Sequence, residues 1–105
     1  MLRGRLLDPS AAPATGERVE TLVRVRNVAV EQILSGALEA PVDYRQEHDE
    51  WVAVLAGSAV LVVDGERMEL GPGDWVLLEG GTPHRLERTD PGTSWLTVHL
   101  HREPA

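Results

Sequence analysis

Apolar residues along this chain come in short runs that are separated by turn-forming residues. From Val19 onward, segments such as VETLVRV and NVAVEQIL are rich in valine, leucine and isoleucine and alternate in part with polar residues, which predicts β-strands. The segment AVEQILSGALEA also contains good helix formers. We interpret it as strand and loop, because Gly36 interrupts it and β-branched residues precede it.

The turns between these runs indicate how the strands connect. Asp64 and Gly65 separate VLVV from RMEL, and an Asp-Gly pair between apolar runs is the strongest short signal for a β-hairpin. Further on, GPGD, EGGTP and TDPGTS separate the predicted strands WVLL, HRLER and WLTVHLH. Short strands at regular spacing, with glycine and proline between them, predict an all-β, antiparallel sandwich or barrel.

The length of the chain, 105 residues, suffices for one domain with one core. Residues 1–18 contain two prolines and show no clear period, so we expect an extended N-terminal arm there. Residues 19–105 are expected to form the single domain.

The net charge and the missing residue types narrow the possible chemistry. A formal net charge of −7 argues against a nucleic acid partner, whose phosphates require a basic surface. Lysine and cysteine are both absent, which excludes a Schiff base, a thiolate nucleophile, a disulfide and a zinc–thiolate site. No apolar run approaches the roughly 20 residues of a membrane-spanning helix, and the first residues lack the apolar segment of a signal peptide. We therefore expect a cytoplasmic protein with no membrane partner.

Strand alternation groups the candidate functional side chains onto shared faces. If YRQEHDE forms one unbroken strand, four of its side chains point the same way: Tyr44, Gln46, His48 and Glu50. On the last strand, Trp95, Thr97 and His99 would point inward and Leu96, Val98 and Leu100 outward. Three apolar side chains on an outer face require cover.

Folding HRLER back onto WLTVH about the TDPGTS turn would bring two histidines together. With Arg88 opposite Trp95, His84 falls opposite His99, and directly opposed residues lie on one face with Cβ atoms about 5 Å apart. A one-residue bulge in the turn would destroy this pairing. Two imidazoles, a carboxylate and an amide oxygen would suit a divalent metal ion such as Zn, Fe, Ni or Mn.

Each candidate also has a purely structural interpretation. His101 lies near the chain end and is expected to be solvated, and a histidine such as His48 in a polar segment is more often a surface residue than a ligand. Trp51 and Trp75 are interpreted as packing residues, while Trp95 fits the core and a pocket wall equally well. Arg88 could steer a carboxylate, but we favour a solvated strand end.

The segment from Gly73 to His84 resembles the second motif of the cupin superfamily, which are small jelly-roll β-barrels. That motif runs glycine, five residues, proline, one residue, glycine, two residues, histidine. Gly73, Gly81 and His84 match it, and Glu79 stands in place of the proline. In cupins the two turns close one strand across the barrel, so that the histidine enters the interior as a metal ligand.

The first cupin motif runs His-x-His, three or four residues, glutamate, six residues, glycine. Glu50 and Gly57 match its end, but Tyr44 and Gln46 occupy the places of the two histidines. The later asparagine of the second motif is Arg88 here. YRQEHDEW, HRL and WLTVH are also similar to a group of short bacterial cupins, and the resemblance covers about residues 28–101.

The resemblance implies a double-stranded β-helix, or jelly-roll barrel, with a metal-binding pocket inside. The implied ligands of a divalent metal ion are His84, His99, Glu50 and Gln46, with His48 in reserve and Tyr44, Trp95 and Arg88 as further pocket candidates. A site with open positions would bind water, a bidentate oxyanion or a diol.

Three functions remain open at this point. The chain could be a metal-dependent enzyme for a small oxygen-rich metabolite, such as a dioxygenase or isomerase. It could instead be a non-catalytic sensor or carrier, or a metal-free barrel that acts through its partners. The fold hosts both enzymes and binding proteins, so the sequence does not separate the first two. Cupins commonly dimerise through sheet faces or exchanged N-terminal strands. We therefore expect a homodimer, with the arm or the partner covering the outward face of the last strand.

Overall fold

The computed structural model describes residues 1–103, two residues short of the end of the predicted domain range 19–105. A short 3-10 helix at Pro9–Ala11 precedes the strands. The strands are β1 (Glu17–Val25), β2 (Val28–Ser35), β3 (Val42–Tyr44), β4 (Asp49–Ala56), β5 (Ala59–Val63), β6 (Glu66–Leu70), β7 (Trp75–Leu78), β8 (His84–Thr89) and β9 (Thr93–Leu100). Among residues 1–103, no helix has the length and hydrophobicity of a membrane-spanning segment.

The strands form two antiparallel sheets that pack face to face. One sheet has the order β1-β2-β9-β4-β7, and the other has the order β3-β8-β5-β6. Inward side chains of both sheets build one core, whose buried members include Val52, Val54, Leu61, Leu78, Leu86 and Trp95. The prediction of an all-β, antiparallel jelly-roll barrel is confirmed.

The predicted Asp-Gly hairpin is present between β5 and β6. Val63 pairs with Glu66, which leaves Asp64 and Gly65 as a two-residue loop. Their φ angles are +49° and +81°, as the tight turn that matches strand twist requires. AVEQIL likewise lies in β2 rather than in a helix, and Gly36 follows directly after that strand.

The predicted hairpin between the last two strands is wrong. β8 pairs with β3 and β5, whereas β9 pairs with β2 and β4, so His84 and His99 lie on opposite sheets. The turn at residues 90–92 carries the chain across the barrel. It is held there because Asp90 N–H donates to the Ser58 carbonyl and Gly92 N–H donates to the Ser35 carbonyl, both at 2.9 Å.

The segment from Tyr44 to Glu50 is not one unbroken strand. Tyr44 ends β3 in the four-stranded sheet, residues 45–48 form a connection, and Asp49 begins β4 in the five-stranded sheet. The shared-face argument for the four polar side chains of this segment therefore fails. Tyr44 and Glu50 still meet, because they approach the barrel interior from opposite walls.

The N-terminal arm is attached to the outer surface of the five-stranded sheet. Gln32 is the attachment point and is only 1% exposed. Its side-chain oxygen accepts from Leu7 N–H at 2.8 Å, and its amide nitrogen donates to the Leu7 carbonyl at 3.0 Å and to Ser94 Oγ at 3.1 Å. A buried amide with all of these partners satisfied fixes the arm in one position.

The outer face of the same sheet is apolar beyond the arm. Leu96, Val98 and Leu100 point outward as predicted, and Leu100 remains 39% exposed. The interpretation of Trp75 as a packing residue is wrong, since it is 61% exposed on the edge strand β7. Trp51 lies beside it, with ring centroids 6.1 Å apart.

Candidate functional site

A small pocket opens between the two sheets at the ends of β4, β8 and β9. Its inner part has a volume of about 100 Å³, and its mouth is open to solvent, so that a molecule bound there can extend beyond the rim. Its lining is mostly apolar and includes Val52, Leu78 and Leu86. The polar side chains that reach it are Glu17, Tyr44, Glu50, His84 and Thr97. An apolar concave pocket with a few converging polar groups is the usual form of a small-molecule site.

Glu50 is the central acidic group of this pocket. The β4–β9 register places it directly opposite His99, and Gln46 Nε2 donates to its Oε1 at 2.9 Å. Burial raises the pKa of the Glu50 carboxyl above its usual value, while the nearby His99 and His84 act against this shift. The carboxyl is therefore held in surroundings that favour its protonated form more than water does.

His84 supplies an imidazole from the opposite wall. It is 7% exposed and lies opposite Tyr44 in the β3–β8 ladder, where the two rings stack at 5.5 Å between centroids. Its Nδ1 is 3.2 Å from the Thr82 carbonyl, which can only accept, so Nδ1 carries the proton. In the neutral ring this leaves the lone pair on Nε2 available to a ligand.

Tyr44 forms the rim of the pocket and is 36% exposed. Burial raises the pKa of its phenol, and the carboxylates of Glu17 and Glu50 raise it further. The hydroxyl therefore stays protonated at neutral pH and can donate a hydrogen bond to a bound molecule.

His99 belongs to a histidine cluster above the pocket, formed by His48, His99 and His101. His99 Nδ1 lies 2.8 Å from His48 Nε2, and the His48 and His101 rings are 4.3 Å apart between centroids. Burial lowers the pKa of His48, and the neighbouring His101 and His99 lower it further. His101 is half-buried in this cluster, so the expectation that it is simply solvated is wrong.

Glu31 on β2 holds the other side of His99. Its Oε1 is 2.9 Å from His99 Nε2, whereas Glu50 Oε2 is 3.8 Å from the same nitrogen. The sequence reasoning did not identify Glu31. The sequence feature that could have identified it is its position: Glu31 is an acidic residue in phase with Ala29 and Ile33 on an otherwise apolar strand face.

The double-glycine turn after β7 positions the loop that carries Gln46 and His48. Gly81 N–H donates to the Gln46 carbonyl at 2.8 Å, and Gly80 N–H donates to Asp49 Oδ1 at 2.7 Å. A Cβ at Gly80 would lie 2.1 Å from the Glu47 carbonyl oxygen, so only glycine permits this contact. The turn also connects β7, which ends at Leu78, to β8, which begins with the pocket residue His84.

Of the two remaining pocket candidates, Trp95 lies in the pocket wall and Arg88 lies outside the pocket. Trp95 is buried, lines the pocket and donates from Nε1 to Ser35 Oγ at 3.1 Å, so it is both a core and a wall residue. Arg88 lies outside the pocket and pairs with Asp90 at an exposed strand end. The reason is a β-bulge in the β5–β8 ladder between Val60 and Leu61, which turns Arg88 out of phase with His84.

The predicted metal ligands do not converge as they stand. Within residues 1–103, no three His, Asp or Glu side chains are spaced to hold a metal ion. Both nitrogens of His99 already have hydrogen-bond partners. The described hydrogen bonds leave Nε2 of His84 and Oε1 of Gln46 without a partner, so part of the predicted set remains open to a ligand.

Comparison with known proteins agrees with this geometry. The family model described as "Cupin domain" matches residues 29–100. A candidate mannose-6-phosphate isomerase from Ralstonia eutropha JMP134 is 31% identical, with a TM-score of 0.78 over 93% of this chain and 99% of that one. A cupin superfamily protein from Desulfitobacterium hafniense DCB-2 shares the fold at 19% identity, with a TM-score of 0.72 over 94% and 93% of the two chains.

KdgF from Halomonas sp. is a further structural neighbour. It is 16% identical, with a TM-score of 0.71 over 89% of this chain and 85% of that one. No curated protein matches the chain. The family match spans well over half of the sequence, and the two facing sheets enclose the pocket where the second motif delivers His84. The chain belongs to the cupin superfamily.

Proposed function

We propose that the pocket binds a small oxygen-rich metabolite, with Glu50, His84 and Tyr44 as the polar groups that hold it. The observation that carries this proposal is the placement of Glu50. Only 12% of its side chain is exposed, it faces an apolar pocket, and no arginine in the described part of the chain pairs with it. Such a group lowers stability unless a ligand or a reaction uses it.

The three groups suit a molecule with several hydroxyl or carbonyl oxygens. Glu50 can accept a hydrogen bond from a ligand hydroxyl, and Tyr44 can donate one to a ligand oxygen. On the opposite side, His84 Nε2 can accept a further hydrogen bond. A carboxyl with a raised pKa facing an imidazole across a bound molecule is also suited to moving a proton between two positions of that molecule. The name of the Ralstonia eutropha neighbour, a candidate sugar-phosphate isomerase, supports sugar derivatives as the first class to test.

Titration calorimetry with sugars, sugar phosphates and hydroxy- or oxo-acids tests the proposal. We expect one class to bind the wild type, and Glu50→Gln and His84→Gln each to weaken that binding at least tenfold. Arg88→Gln, outside the pocket, is the matched control and should bind like the wild type. A ligand that binds Glu50→Gln unchanged would overturn the proposed site. Turnover of the bound class separates an enzyme from a sensor or carrier.

A divalent metal ion at the predicted ligands is the second candidate. The free Nε2 of His84 and the free Oε1 of Gln46 beside Glu50 favour it. Such an ion would polarise a bound oxygen. Elemental analysis after incubation with Zn, Fe, Ni or Mn, on the wild type and on His84→Ala and His99→Ala, tests the set. About one ion per chain that both variants lose supports it; an apo protein that still binds its metabolite contradicts it.

We also propose that the working unit is a homodimer in the cytoplasm. The net charge of −7 disfavours nucleic acid as a partner. The exposed apolar side chains on the five-stranded sheet support self-association.

A further inference from the structure

The free polar atoms of the pocket are mostly hydrogen-bond acceptors. Glu50 Oε2 lies 3.8 Å from His99 Nε2, which is beyond hydrogen-bond distance. The described hydrogen bonds involve neither the Glu17 side chain nor Nε2 of His84, although His84 is only 7% exposed. A buried acceptor without a partner lowers stability unless a ligand supplies the donor. Glu17, Glu50 and His84 therefore offer three acceptors to a bound molecule.

Donors are scarce on the same walls. The Tyr44 hydroxyl is free to donate at the rim, whereas the Thr97 hydroxyl lies 3.5 Å from the Glu31 carbonyl, its acceptor. No arginine is among the described residues that line the pocket. A phosphate or a carboxylate only accepts hydrogen bonds. Such a group would meet one free donor and would be repelled by the carboxylates of Glu17 and Glu50.

Glu17 reaches the pocket from the edge of the barrel. It begins β1, an edge strand of the five-stranded sheet, and Tyr44 ends β3, an edge strand of the other sheet. Gly16 N–H donates to the Ala37 carbonyl at 3.2 Å, which fixes the backbone just before Glu17. The carboxylates of Glu17 and Glu50 both raise the pKa of the Tyr44 phenol, so both are close to the pocket mouth.

We propose that the bound metabolite carries a protonated amino group, and that Glu17 is the residue that selects it. This inference rests on the proposed function and narrows the oxygen-rich metabolite to an amine-bearing one, with amino sugars as the first class to test. An ammonium group has one positive charge and three donors. It matches the three acceptors on Glu17, Glu50 and His84, and it balances carboxylates that no cationic side chain of the pocket lining balances.

The groove on the other side of Tyr44 does not reverse this charge preference. Its volume is about 420 Å³, and its charged lining residues are Arg45, Arg85, Asp43 and Asp64. Arg85 donates from Nε to Asp43 Oδ1 at 2.7 Å. Positive and negative side chains are equal in number in this groove. The carboxylates of the pocket itself therefore determine which charge a ligand can carry there.

Titration calorimetry at about pH 6.5 tests the inference with the amino, neutral and 6-phosphate forms of glucose, mannose and galactose. We expect the wild type to bind an amino sugar at least tenfold more tightly than its neutral form, and the phosphate most weakly. Glu17→Gln should reduce this preference to about twofold or less and leave the affinity for the neutral sugar within about twofold. Glu17 is exposed, so the far-UV circular dichroism spectrum should not change.

Glu20→Gln is the matched control, because it removes the same charge from an exposed position on the same strand. It should keep the full amine preference. An equal loss in Glu20→Gln and Glu17→Gln would mean that the net charge of −7 attracts the amine without a site, and would overturn the inference.

The remaining outcomes separate the inference from the proposed function. A neutral or phosphorylated sugar that binds as tightly as the amino form would overturn the inference alone and leave the pocket as a metabolite site. An amine preference that persists in Glu17→Gln would overturn the role of Glu17. If none of the nine compounds binds, both the amine inference and the assignment to sugar derivatives are overturned.

Discussion

Glu50 and His99 face each other directly across the β4–β9 ladder, yet Glu50 Oε2 and His99 Nε2 are 3.8 Å apart. His99 makes its shorter contact, 2.9 Å, with Glu31. The carboxyl of Glu50 is thereby left with Gln46 as its hydrogen-bonded neighbour and the pocket in front of it. The Glu50 carboxyl is therefore positioned to bind a ligand in the pocket.

Replacing Glu50 by glutamine should stabilise the fold at neutral pH. The raised pKa means that the folded state holds the proton more tightly than the unfolded chain, so the ionised carboxylate lowers stability as pH rises through that pKa. We expect Glu50→Gln to gain about 1 kcal/mol at pH 7 and little at pH 4, in urea unfolding with a chelator present. Glu69→Gln, on the exposed surface, should change neither value. A loss of stability in Glu50→Gln at pH 7 would contradict this account.

Adding a methyl group at Gly80 should disturb the site much more than adding one at Gly81. A Cβ at Gly80 meets the Glu47 carbonyl at 2.1 Å, whereas a Cβ at Gly81 has open space. We expect Gly80→Ala to cost about 3 kcal/mol and to weaken ligand binding by displacing the loop that carries Gln46. Gly81→Ala should cost about 1–2 kcal/mol, because its φ is +81°, and should leave binding intact. Equal effects in both variants, by thermal unfolding and calorimetry, would refute the proposed role of the turn.

Removing the amide of Gln32 should release the N-terminal arm. Gln32→Leu leaves the N–H and carbonyl of Leu7 without their side-chain partners and removes the bond to Ser94. We expect a cost of about 2–3 kcal/mol in unfolding experiments and rapid proteolysis within residues 1–7. Glu20→Gln, at the exposed position opposite Gln32 on β1, is the control and should leave the arm protected. An arm that remains protected in Gln32→Leu must be held by other contacts.

The Asp43–Arg85 ion pair should be visible in an acid titration. Arg85 donates from Nε at 2.7 Å and from a terminal nitrogen at 3.0 Å, and this lowers the pKa of the Asp43 carboxyl below its usual value. Its stabilising effect is therefore present above the pKa of the unfolded chain and is lost as pH falls through the lower folded value. Carbon-13 NMR should show a lower pKa for the Asp43 carboxyl in the wild type than in Arg85→Gln. The same midpoint in both proteins would show that the pair does not form in solution.

Local sequence patterns were sufficient for most strands and for the tight turns. Alternation in VAVEQIL and the Asp64–Gly65 pair both depend on neighbours within a few residues, and both are found where predicted. The second cupin motif placed His84 in the pocket. The domain boundaries and the metal ligands stay predictions.

The two errors about strand arrangement, the β8–β9 hairpin and the unbroken strand from Tyr44 to Glu50, concern which sheet each strand joins. TDPGTS has the composition of a hairpin turn, but β8 continues the sheet of β3 and β5, where Leu86 and His84 find their partners. The choice between a hairpin and a crossing depends on strands far away in the chain, which turn chemistry does not encode. Glu31 was missed for the same reason, since its contact with His99 spans 68 residues.

The gap between the two walls of the pocket depends on the crossing at residues 90–92, at the opposite end of the barrel. β8 runs from His84 to this corner, and β9 runs back along the opposite wall to His99. The two strands are therefore joined at the corner and separated at the pocket. Each strand is about 20 Å long from the corner to the pocket at the rise of a β-strand. A change of about 3° in the angle between the two strands moves their pocket ends by roughly 1 Å relative to each other. A substitution such as Thr93→Val, which removes the side-chain hydrogen bonds from Thr93 Oγ1 to the carbonyls of Ser58 and Asp90, would therefore change the gap between the walls from the opposite end of the barrel, without altering any residue that touches a bound molecule.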